Sequence, residues 1–72
     1  MTATIHALDV VALTVDLPQE QLLRGQVGTV VEALAPDIFE VEFSDDSGRT
    51  YAQAAVRTSQ LILLHYEPVR AA

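Results

Sequence analysis

From Ile38 to Phe43 the chain alternates without a break, with Phe39, Val41 and Phe43 at every second position and Glu40 and Glu42 between them. A period of two places the three large apolar side chains on one face of an extended strand and both carboxylates on the other; a helix would scatter them around its circumference. Such a strand has one wet face and one dry face, so the rest of the chain must build a sheet that closes over the dry one. Turn signals bracket it. Ala35-Pro36-Asp37 precedes it, and Asp45-Asp46-Ser47-Gly48 follows with the side-chain acceptors and the glycine that a hairpin tip requires.

The flanking segments read the same way. Leu8-Asp9-Val10-Val11-Ala12-Leu13-Thr14 is aliphatic and β-branched over a strand length and is the first strand. Asp16-Leu17-Pro18 ends it and opens a long loop, in which Pro18 to Leu23 has room for one or two helical turns at most, with Pro18 near the first helical position. Arg24 to Glu32 is a second strand with a kinked start, where Gly25 and Gly28 permit a tight turn and a bulge. Arg49 to Val56 is the fourth strand, Thr58-Ser59-Gln60 a single tight turn, and Leu61 to His65 the fifth strand. The domain is single, spanning residues 1–72, with a core from about 7 to 65 and a loose tail over 66–72.

Five short strands with a long first loop, a tight distal hairpin and a one-turn connection before the last strand are the order of parts in a small five-stranded SH3-like barrel. Closure also suits the length, because a chain of this size buries only about 60% of the surface its unfolded form exposes and has no cysteine with which to staple itself. An open antiparallel sheet completed by a second copy of the chain is the competing arrangement.

The strings Leu8 to Leu13, Asp16-Leu17-Pro18, Arg24 to Val31, Glu40 to Phe43, Asp46 to Ala52 and Leu61 together resemble a bacterial family of uncharacterised small domains, domain of unknown function 4926. The Gly25 to Val31 string is the most specific of them. The resemblance implies an SH3-like fold and no established activity. It suggests a companion of a larger protein, antitoxin-like or immunity-like. Gln53-Ala54-Ala55 departs from the family pattern, which is expected to carry larger aliphatics there, and this puts the packing of the fourth strand in question.

Ten carboxylates, four arginines and no lysine give a formal charge of −6 at pH 7. Affinity for nucleic acid rests on cationic side chains that displace phosphate counterions, so this balance weighs against a DNA or RNA ligand and favours a basic protein partner. The alternative is a KOW-like barrel, associated with nucleic acid, ribosome or transcription machinery, that uses Gly25 and Gly28. No apolar run is long enough to span a bilayer and no signal peptide is evident, so the expected location is cytoplasmic.

Nothing in the sequence makes an enzyme. Glu40 and Glu42 are about 7 Å apart at strand rise, but a barrel of this size is filled by its own side chains and gives a general acid no cleft. Ser44, Ser47 and Ser59 have no histidine beside them, and Asp45 to Gly48 lacks the spacing of a calcium loop. His6 and His65 flank the outer strands, with Asp9 or Glu67 as the only further ligands, too few for a zinc site with a supporting shell. No metal or other cofactor is expected. Tyr51 and Tyr66 alone do not make an aromatic platform for proline peptides. The feature above background is apolar excess in the first and last strands. If Val10 and Ala12 point inward, Val11 and Leu13 point out, and with Ile62 and Leu64 they pool into a patch for a protein partner or for self-association, unless the loop through Leu17, Leu22 and Leu23 covers it.

Overall fold

The computed structural model describes residues 4–65 and Pro68. Its strands are β1 (Val10–Leu13), β2 (Val27–Ala35), β3 (Ile38–Ser44), β4 (Thr50–Arg57) and β5 (Leu61–Leu63). Two single 3₁₀ turns, η1 (Pro18–Glu20) and η2 (Thr58–Gln60), lie before β2 and before β5. The strands form one antiparallel sheet in the order β4-β3-β2-β1-β5. This is the all-β, five-stranded arrangement that the sequence predicts. Side chains from all five strands enter a single core cluster, so the sheet curls around that core. The outer strands β4 and β5 are linked through η2, which is held in place by Gln60 Oε1 accepting the Arg57 N–H (3.0 Å) and by Thr58 N–H donating to Asp37 O (2.9 Å).

The register fixes which residues share a face. Leu63, Val11, Gly28, Phe43 and Ala52 form one row across the sheet, and Val30, Val41 and Ala54 form the next. Both rows face the core, with Val11, Val30, Val41 and Phe43 fully buried. Gly28 works here by leaving space. A Cβ on it would lie 2.6 Å from Val41 Cγ1 and 3.0 Å from Phe43 Cδ2, so its missing side chain is where the neighbouring strand's apolar groups sit. The expected bulge lies elsewhere, at two register shifts further along β2. Gly25 does make the tight turn, with φ of +93°.

The first loop is built rather than loose. Leu17 and Leu22 exchange backbone hydrogen bonds (2.8 and 3.1 Å) around η1, whose Pro18 occupies the first helical position. This small bridge drives Leu22 into the core and leaves Leu23 outside. At the other end the core reaches past its expected limit to Ile5, which is buried. β1 starts two residues later than the sequence suggests, because Asp9 turns back on His6: its carboxylate accepts the His6 N–H (2.8 Å) while its own N–H donates to His6 O (3.1 Å). The expected tail over 66–72 lies outside the described residues except for Pro68.

Candidate partner-binding face

Of the four residues expected to point outward, the structure buries two. Val11 is 0% and Leu13 2% exposed, and both belong to the core cluster. Each strand offers apolar side chains on both faces, so alternation leaves the choice of face open. The row partners decide it. Val11 stands between Leu63 and Gly28, and only on that face does the glycine leave room for Phe43. Ile62 is 54% exposed and does lie on the outer face; Leu64, half-buried, donates its N–H to Val10 O (2.9 Å).

The outer face of β5, β1 and β2 therefore carries the opposite set of β1 residues. One row runs Ile62, Ala12, Val27, and the next runs Val10, Thr29, Glu42, Gln53. Ala12 is nearly covered because Ile62 and Val27 stand on either side of it, and their own outer surfaces face solvent, with Val27 44% exposed. Four apolar side chains, Val10, Ala12, Val27 and Ile62, thus share one exposed face where a one-sided sheet would carry polar ones.

Along β3 this face turns acidic. Glu40 and Glu42 are half-buried on it, and Glu40 is the register partner of Glu32, so two like charges stand directly opposite each other. A histidine–carboxylate contact among the described residues is elsewhere, between His6 Nδ1 and Asp9 Oδ2 at 3.8 Å.

A model of one protein family, described as Domain of unknown function (DUF4926), matches residues 7–63. The chain belongs to that family. No curated protein and no solved structure matches it. The matched span of this DUF4926 domain runs from the turn before β1 to the end of β5 and so includes every strand.

The remaining polar groups of the DUF4926 domain serve its turns. Asp45 Oδ1 accepts from Ser47 Oγ (2.8 Å), Ser47 N–H (3.0 Å) and Arg49 N–H (3.0 Å), which closes the β3–β4 hairpin. The Ser47 hydroxyl, more than the Arg49 and Ser47 N–H groups, holds the Asp45 carboxyl below its ordinary range. Tyr51, half-exposed on β4, accepts a hydrogen bond from Gln26 Nε2 (3.2 Å), tying β4 to the turn before β2. His6 and His65 are both exposed, and His6 is engaged with Asp9. Glu67 lies outside the described residues, and among those described no three His, Asp or Glu side chains cluster in a way that would hold a metal ion. No described helix is long and apolar enough to cross a membrane.

Proposed function

We propose that this domain is a non-catalytic, cytoplasmic protein-binding module, the small acidic companion of a larger basic protein. Its contact surface is the outer face of β5, β1 and β2. The observation that carries this reading is the row Ile62, Ala12, Val27, in which two half-exposed aliphatic side chains flank a covered alanine. A partner that seats an apolar anchor there removes that surface from water, worth roughly 25 cal/mol per Å² before the costs of association. The carboxylates of Glu32, Glu40 and Glu42 on the adjoining strands, and the chain's charge of −6, select a partner with a basic rim and speed its approach.

The test places a photo-crosslinking side chain at Ile62 and, as a control, at Ser59 on η2, inside the native host. A defined protein captured from position 62 alone, and lost when Val27 is replaced by Asp in a domain that still folds, supports the reading. Capture of nucleic acid, crosslinking only to a second copy of the chain, or capture indifferent to Val27→Asp refutes it.

A further inference from the structure

A second surface lies at the β4 edge of the sheet, where it adjoins the acidic side of this face and shares Glu40 with it. An open cleft of about 630 Å³, within the roughly 300–1,000 Å³ range of built ligand pockets, lies between η1 and β4. Pro18, Gln19 and Glu20 line it on the loop side, and the consecutive residues Gln53, Ala54 and Ala55 line it on the β4 side. Consecutive residues of a strand send their side chains to opposite faces, and Ala54 is buried in the core while Gln53 and Ala55 are exposed. Ala54, its side chain in the core, meets the cleft through its backbone, and Gln60, whose Oε1 accepts the Arg57 N–H that leaves the sheet, lines the same cleft and carries it to the strand's edge.

The phase of that backbone follows from the hydrogen bonds at its end. Thr58 N–H donates to Asp37 O, so residues in step with Thr58, namely Val56 and Ala54, turn their N–H and C=O groups toward β3. Arg57, Ala55 and Gln53 turn theirs away. Arg57 agrees, since its N–H leaves the sheet to donate to Gln60 Oε1 (3.0 Å). β4 is the outermost of the described strands, so the N–H and C=O groups of Gln53 and Ala55 face the cleft with no strand among the described residues beside them. An edge of this kind is a template for one more strand.

We infer that the cleft receives an extended, cationic peptide segment of another protein, which adds to β4 as a sixth strand through the backbone of Gln53 and Ala55. Charge selects the occupant. Glu20 on the loop and Glu40 on β3 both line the cleft, and among the described residues no arginine does. A second copy of this acidic chain, paired edge to edge, would bring like carboxylates together; alternating basic side chains meet them instead.

The probe is a capped five-residue peptide, Arg-Val-Arg-Val-Arg, titrated into the full chain and followed by backbone amide NMR and by calorimetry over a range of salt concentrations. The expected result is saturable, salt-weakened binding with the largest shifts at the Gln53 and Ala55 amides. Ala55→Pro removes one edge donor without touching a β3–β4 bond, and it weakens binding about tenfold or more. Glu20→Gln and Glu40→Gln each weaken it roughly two- to five-fold and flatten the salt dependence. A peptide of the same charge with alternate amides N-methylated fails to bind the wild-type chain, which tests the backbone pairing independently of any variant. Binding of the methylated peptide at full strength, shifts centred on Val27 and Ile62, or no binding at low salt overturns the inference. Val27→Asp leaves this binding unchanged, so the two surfaces stand or fall separately.

Discussion

Replacing Gly28 by alanine tests the row that decides which face of β1 is buried. The added Cβ falls 2.6 Å from Val41 Cγ1, 2.9 Å from Glu42 O and 3.0 Å from Phe43 Cδ2. Val41 and Phe43 are fully buried, so neither side chain has open space to retreat into, and the Glu42 carbonyl is part of the sheet. Overpacking of this kind costs about 1–3 kcal/mol. Loss of a glycine from the unfolded chain returns about 0.4–1 kcal/mol, leaving a net loss near 1.5 kcal/mol. That is a large share of the roughly 4–11 kcal/mol expected for 72 residues. Thermal melting followed by circular dichroism should then show a midpoint lowered by about 6–12 °C. Three further variants separate space from backbone strain. In a Val41→Ala background the nearest contact is gone but the Glu42 carbonyl remains, so Gly28→Ala costs less there without becoming neutral. Gly48 has φ of +83° and nothing within 4 Å of its absent Cβ, so Gly48→Asn is tolerated while Gly28→Asn is worse than Gly28→Ala. A Gly28→Ala protein that melts with the wild type, or a penalty unchanged by Val41→Ala, would refute the packing argument.

Three other outcomes follow from the same structure. Val11→Asp places an unpaired carboxylate in the core and should abolish folding, whereas Ile62→Asp stays within about 0.5 kcal/mol of wild type, and urea denaturation of the pair reads the difference. Leu22→Ala removes the plug that the Leu17–Leu22 bridge inserts and should cost about 2–5 kcal/mol in the same assay. The Asp45 carboxyl titrates below its unfolded value of about 3.9, so its stabilisation is present above that pH and is lost as the pH falls through the lower, folded value. Wild type should therefore melt above Asp45→Ala at pH 6 and converge with it at strongly acidic pH, and a gap that persists there would remove the role assigned to the hairpin carboxylate.

The sheet was legible in the sequence wherever local chemistry is one-sided. Phe39, Val41 and Phe43 alternate with glutamates, Asp45 to Gly48 can only turn, and Thr58 to Gln60 is too short for anything beyond one 3₁₀ turn, so β3, its hairpin and η2 appear where the residues place them. The orientation of β1 was not legible. Val10, Val11, Ala12 and Leu13 are apolar on both faces, and the choice between them rests on Gly28, seventeen residues beyond Val11 yet beside it in the sheet. Ile62 is therefore exposed as the sequence suggests, while on β1 the faces are reversed, with Val10 and Ala12 outward in place of Val11 and Leu13. On β4, Ala54 is buried opposite Val41, while Gln53 and Ala55 look outward beside the cleft. The cleft beside them needed the loop's own bridge and the hydrogen-bond phase of β4, neither of which has a signature in residue order.

The pairing of β1 with β5 also sets how this domain can assemble in time. Val11 lies opposite Leu63, so two strands of four and three residues close a loop of roughly fifty residues, and the chain must surrender that freedom before a handful of contacts repays it. The β2–β3–β4 meander, joined by short hairpins, meets no such barrier and can form early. Folding should then wait on the return of β5, and the last seam to close is also the first to open, which makes the strip bearing Ile62 the part of the molecule whose integrity reports that the sheet has closed.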